Sequence, residues 1–212
     1  SSANPKMSGL ACCKAANDLK AEAVYQIAAR DTTRTGLQAA AIGACQFGIK
    51  NILCITGDSS KVGPSPTADL NFVDIDSVQM LWILRRMRDD GIYLDGRKMK
   101  FPPKYFLGAA TSPFASDPVL QAIRDQKKVN AGAQFFQTNI VFDHGGIDLW
   151  LEELDKRNVL NKVYILIGVA TLKSYKVARY LHDRVPGVTV PERILRRMEK
   201  AGDGESEEGV QI

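Results

Sequence analysis

Short apolar runs alternate along this chain with stretches whose apolar residues recur at helical spacing. The run Asn51-Ile52-Leu53-Cys54-Ile55-Thr56 is almost continuously hydrophobic and stops abruptly at Gly57-Asp58. This is the pattern of a strand buried on both faces of a parallel sheet. Four more runs read as strands: Ala23 to Ala29, Lys104 to Ala110, Gln134 to Thr138 and Lys162 to Gly168. Between them, amphipathic spacing predicts helices over Thr35 to Phe47, Asp76 to Asp89, Ser116 to Asn130 and Ile147 to Arg157. A further helix is expected over Ser174 to Asp183, and Pro191-Glu192 opens a last one. Asp76 or Ser77 suits one helix start, Ser116 suits another ahead of Asp117-Pro118, and Gly48 and Gly91 end two helices.

Strand and helix in strict alternation imply parallel strands joined by right-handed crossovers. Two α/β architectures fit: an open doubly wound sheet of five strands, or most of an eight-fold barrel. In both, chemistry gathers where the strands end, which makes Asp58 a site candidate beside the close-approach residue Gly57. A Gly-Asp turn with a solvated carboxylate is the plainer alternative. The stretch from Gln26 to Asp31 is a second strand end. The long loop from Ser59 to Phe72, with Gly63-Pro64-Ser65-Pro66, falls on the same face.

With 212 residues, of which 45% are apolar, the chain can bury a sizeable core, and a single domain over residues 1–212 is expected. It has no apolar run of membrane-spanning length and no secretion-signal pattern at its start. The four cysteines, Cys12, Cys13, Cys45 and Cys54, lack the spacing of a metal or cluster site and read as buried free thiols of a reducing compartment, the cytoplasm. A net charge of +4, scattered over helices without interleaved aromatics, argues against nucleic acid and suits an anionic cofactor. His144 and His182 fall on no motif. There is no nucleophile elbow, Walker loop or open-sheet dinucleotide fingerprint. Gln121, Arg124, Lys127 and Lys128 recur at three- and four-residue separations, so some share a helix face that is either a ligand surface or a solvated one.

Taken in order, the blocks Gln26 to Asp31, Gly36-Leu37-Gln38, Asn51 to Asp58, Lys128-Val129-Asn130-Ala131-Gly132-Ala133, Gln137 to Asp143 and Val185-Pro186-Gly187-Val188-Thr189-Val190-Pro191 resemble methylenetetrahydrofolate reductase from about Lys6 to Met198. The resemblance implies a (β/α)8 TIM barrel, of which this chain carries a part: against the family pattern it begins just after the second strand and stops within the eighth helix. It also implies FAD as cofactor. Asp58 would lie between flavin and folate as the catalytic carboxylate, with Thr56, Gly57, Gln26 and Ala110 near the flavin. Asp74 would line the adenosine side. Gln121, Arg124, Lys127 and above all Lys128 would hold the ribityl and diphosphate parts. Asn139 stands where the family has a Gln that contacts folate or nicotinamide, and its shorter amide alters the reach. Gln26 replaces a common His, Ala110 a frequent aromatic residue, and Val177 and Leu181 two substrate-side residues.

The activity so implied is FAD-dependent reduction of 5,10-methylenetetrahydrofolate, or a related pterin, to the 5-methyl form, with hydride passing through flavin N5. The donor would be NAD(P)H or an electron-donating protein subunit, since the altered positions lie on the nicotinamide side. The general acid of the family falls outside this sequence. A flavin-carrying subunit of a larger electron-transfer complex and a flavin-free, pterin-binding methyl-transfer barrel are the alternatives, and an oligomer is compatible with all three. The acidic stretch Gly202 to Glu208 reads as a solvated loop.

Overall fold

All five apolar runs become strands of one sheet. The computed structural model describes residues 6–57, 74–114, 117–185 and 187–212. Its strands are β1 (Val24–Ala28), β2 (Asn51–Ile55), β3 (Phe106–Thr111), β4 (Phe135–Ile140) and β5 (Tyr164–Gly168). The helices are α1 (Gly9–Asp18), α2 (Arg34–Gln46), α3 (Ser77–Asp89), α4 (Pro118–Ala131), α5 (His144–Lys156), α6 (Tyr175–Arg184), α7 (Glu192–Lys200) and α8 (Glu205–Gln211). The strand order is β1-β2-β3-β4-β5. β1 pairs with β2 and β2 with β3, both parallel, with Val24 opposite Asn51 and Asn51 opposite Phe106. A doubly wound sheet reverses its order at a switch point. Here every neighbour in the sheet is the next strand in sequence, which is the order of a (β/α)8 barrel.

Chain packing divides the molecule into two compact units, Ser1–Ala110 with Lys127–Phe135, and Thr111–Gln126 with Phe136–Ile212. In the first unit, Ile52, Leu53 and Cys54 of β2 are all buried, so this strand is covered on both faces. The same unit completely buries Leu37, Ala41 and Ala44 of α2 and Met80, Leu81, Leu84 and Met87 of α3, and α3 packs on both β2 and α2. Asp76, not Ser77, caps α3: its carboxylate accepts from Gln79 N at 2.7 Å, and the Gln79 side chain accepts from Asp76 N at 2.9 Å. Gly48 and Gly91 follow α2 and α3 with φ of 72° and 64°. Gly108, Ala109 and Ala110 of β3 leave room beside the backbone. At Gly108 the protein uses that room itself: a Cβ there would strike the Phe135 ring, which stacks on Phe106 at 5.5 Å.

The second unit is organised around Leu172, Ala178, Val190, Ile194, Leu195 and Met198, with Phe142, Tyr175, Leu181 and Ile212 packed against them. Helix α7 presents Ile194, Leu195 and Met198 to this core and Arg193, Arg196 and Lys200 to solvent. The acidic stretch is not a loop throughout: a 3-10 turn at Gly202–Gly204 leads into α8. Glutamates in the first turn of α8 suit the positive end of a helix dipole, and Glu208 accepts from Arg197 Nε at 2.6 Å. Gly209 is buried where α8 meets Leu172, whose N–H donates to the Gly209 carbonyl at 3.3 Å. Helix α5 starts at His144, ahead of the expected Ile147, and within its first turn Gly146 lies against the Phe114 ring, where a Cβ would collide. The cap of α4 is Asp117, which accepts from Leu120 N at 2.9 Å; the expected cap Ser116 lies outside the described residues. No helix among the described residues is long and apolar enough to cross a membrane.

The cysteines do not all behave as buried thiols. Cys13 and Cys54 are buried, Cys45 is half-buried and Cys12 is exposed on α1. Burial pushes the Cys54 thiol up to about 12. A thiol reagent at neutral pH should therefore label Cys12 first and leave Cys54 intact until the protein unfolds, as peptide mapping of the labelled sites would show. Gly209→Ala should lower stability by about 2 kcal/mol or more, because its Cβ would overlap the Leu172 carbonyl; denaturant unfolding measures this, and a parental midpoint would contradict the packing.

Candidate functional site

At the carboxyl ends of β1 and β2, the backbone is tied across the two strands by Arg30 N donating to the Thr56 carbonyl at 3.1 Å. Gly57 follows with φ of 88°, and a Cβ there would lie 3.2 Å from Arg30 Cβ and 3.5 Å from Ala28 Cβ. Glycine is thus required by the turn and by its neighbours, a different reason from the ligand approach expected of it. The Thr56 hydroxyl donates to Ser77 Oγ at 3.1 Å. The Arg30 side chain is only 8% exposed and forks onto both oxygens of Asp31 at 2.7 Å. Gln26, exposed on β1, lines a cleft of about 360 Å³ with Tyr25, Ala28, Arg30, Asp31 and Thr32. Asp58 lies outside the described residues, as does the loop after it.

Asp74 is engaged within the protein. Its carboxylate accepts from Arg34 N at 2.8 Å and from the Arg34 guanidinium at 2.7 and 2.6 Å, locking the segment before α3 onto the first turn of α2. These bonds hold the Asp74 carboxyl below its ordinary value.

Lys128, expected at the ribityl and diphosphate parts of FAD, and Ala110, expected near the flavin, are brought together. Lys128 Nζ donates to the Ala110 carbonyl at 2.8 Å. Its stem is half-buried and Ala110 is partly exposed near the end of β3. On the same helix Arg124 and Lys127 are exposed, so of the four residues grouped by spacing, only Gln121 and Lys128 share the inward stripe.

Gln121 belongs to a buried polar network that sequence reasoning missed. Asp125, completely buried, accepts from the Thr111 hydroxyl at 2.6 Å, from Gln121 Nε2 at 3.0 and 3.1 Å, and from the Trp150 indole at 3.0 Å. Gln121 Nε2 also donates to Thr111 Oγ1 at 3.2 Å. The only signal in the sequence was an acid four residues after Gln121, inside an otherwise basic helix segment.

Asn139 ends β4 with its Nδ2 donating to Ser112 Oγ at 3.3 Å, and Ser112 in turn donates to the Gly187 carbonyl at 3.3 Å. Beside it, the Thr138 hydroxyl donates to the Asn139 carbonyl at 2.7 Å and accepts from Gly168 N at 2.9 Å. Val177 is exposed on α6, whereas Leu181 packs on the core. His182 Nδ1 accepts from Val190 N at 3.3 Å, a packing role; the His144 side chain lies outside the described residues.

Successive parallel strands with polar groups collected at their carboxyl ends define a protein of the (β/α)8 plan. The model of the family described as methylenetetrahydrofolate reductase matches residues 1–211, and the chain belongs to that family. Comparison with curated proteins gave no match. Membership makes the protein an oxidoreductase of methylenetetrahydrofolate reductase type and implies a folate substrate.

Two outcomes follow from the bonds described above. A carboxyl held below its usual 3.8 contributes stability in full above that value and loses it as pH falls through the folded pKa. Asp74→Asn should therefore destabilise the protein at pH 7, and its deficit should shrink below about pH 4, measured as unfolding midpoints across acidic pH. Asp125→Ala strands three buried donors and should cost on the order of 3 kcal/mol, read from urea unfolding.

Proposed function

We propose that the protein reduces 5,10-methylenetetrahydrofolate to 5-methyltetrahydrofolate, with FAD as cofactor and NAD(P)H or an electron-donating protein as reductant, and that it works in the cytoplasm. The observation that carries this reading is the Lys128 ammonium at the Ala110 carbonyl, which sets a cation beside a small-residue strand end. A flat anionic cofactor needs both: room against backbone and a charge for its diphosphate. The residues present fit FAD in that respect. When bound, FAD would supply a two-electron carrier, able to accept hydride at N5 from the reductant and pass it to a carbon of the folate.

The chain's own groups prepare that chemistry. Lys128, with Arg124 and Lys127 on the outer side of the same helix, neutralises phosphate charge. Gln121 stands with them on α4, Thr56 and Gly57 shape the end of β2, Gln26 lines the cleft beside β1, and Asp74 steadies the start of α3. Asn139 offers its amide to the ligand that occupies the substrate side. Asp58, proposed on the family resemblance, orients the pterin and keeps negative charge beside the cofactor, which favours hydride leaving it.

Lys128→Met keeps the length and removes the charge. It should weaken FAD binding about tenfold, or ~1.4 kcal/mol, in a fluorescence titration of apoprotein with FAD. An unchanged Kd would remove Lys128 from the cofactor site. Asp58→Asn should slow reoxidation of the reduced enzyme by methylenetetrahydrofolate far more than it weakens FAD binding; stopped-flow traces matching the parent would remove the role given to Asp58.

A further inference from the structure

We propose that Ser112 is a positioning residue that fixes the orientation of the Asn139 amide through a relay anchored on the Gly187 carbonyl. This rests on the proposed function insofar as Asn139 meets the substrate. Three segments far apart in sequence converge on one hydroxyl: the end of β3, the end of β4, and the connection between α6 and α7. A serine hydroxyl carries one proton. Ser112 gives it to the Gly187 carbonyl at 3.3 Å, so the lone pairs of Oγ remain for the Asn139 Nδ2 donor at 3.3 Å. The relay therefore chooses between the two flips of the amide, with nitrogen at Ser112 and oxygen turned the other way. An amide that could rotate would present donor and acceptor interchangeably, and a ligand would have to fix it on binding at an entropic cost.

Gly187 is the keystone of this arrangement. It adopts φ of 77°, and a Cβ on it would collide with the Ser112 hydroxyl and stand 2.5 Å from Asn139 Nδ2. Backbone alone can approach that closely. Beneath Ser112, its chain neighbour Thr111 is pinned by the buried Asp125 carboxylate at 2.6 Å, which holds the end of β3 still. On the far side, Thr138 secures the Asn139 carbonyl and the Gly168 N–H. The backbone on either side of the relay is thus fixed, and the hydroxyl of Ser112 acts on the side chain itself.

The test has a ligand-free arm and a ligand-dependent arm. In the holoenzyme, Ser112→Ala should move and broaden the Asn139 side-chain NH2 resonances, assigned through Asn139→Ala, while Ser112→Thr, which keeps a hydroxyl, should leave them nearer the parent. In turnover, Ser112→Ala should raise KM for methylenetetrahydrofolate about five- to tenfold with FAD affinity unchanged. It should add nothing further in an Asn139→Ala background, because the two act as one unit. Unmoved amide resonances in Ser112→Ala, or additive KM effects in the double variant, would overturn the proposal. A parent enzyme that fails to reduce methylenetetrahydrofolate would instead refute the proposed function, and the resonance shift would still decide the role of Ser112.

Discussion

A parallel strand covered on both faces has no place for polar chemistry along its length. That constraint governs this molecule. β2 buries Ile52, Leu53 and Cys54 in succession, and after Asn51 at its start the next polar side chain is Thr56, beyond its end. The same division holds at β3, where Leu107 and Ala109 are buried and the first hydroxyls are those of Thr111 and Ser112. Hydrophobic covering builds the sheet, and by exclusion it collects the hydrogen-bonding side chains at the carboxyl ends of the strands.

Those ends are stiffened by bonds that would be modest in water but are strong where water is excluded. Asp125 accepts from three different side chains and leaves the β3 tip no freedom. Thr138 and the Ser112 relay do the same for β4. In the first unit, the fork of Arg30 on Asp31 and the clamp of Asp74 on Arg34 steady the ends of β1 and the starts of α2 and α3. Held this way, a site keeps its geometry before any ligand arrives, which is what orientation-dependent chemistry requires. β5 is an edge of the sheet among the described residues, and there the covering gives way: Tyr164, Leu166 and Ile167 are exposed.

Much of the fold was legible because strands buried on both faces announce themselves as apolar runs, and because Asp76, Gly48 and Gly91 punctuate helices by local chemistry. Helix α1 was not legible: Gly9-Leu10-Ala11-Cys12-Cys13 mixes small residues with little contrast between faces. Helix α8 was hidden by its glutamates and its glycine, and is held through Arg197 and the burial of Gly209. At the site, Lys128 and Ala110 were each singled out through the family resemblance, and the hydrogen bond between them was not foreseen. Nor were the Asp125 network and the Ser112 relay, since they join residues brought together only by tertiary structure; Ser112 and Gly187 are 75 positions apart. Gly57 was marked for close approach by its place at a strand end, whereas the Arg30 and Ala28 side chains that crowd its Cβ position are seen only with the partner atoms.

The central claim is that reducing equivalents pass through a bound flavin to a folate. The most direct measurement is the visible absorption spectrum of the purified full-length protein under anaerobic conditions, recorded before and after NADH or NADPH and again after methylenetetrahydrofolate. The account predicts an oxidised flavin spectrum that bleaches with the reductant and returns with the folate. A protein without flavin, or a reduced flavin that methylenetetrahydrofolate fails to reoxidise, would contradict it.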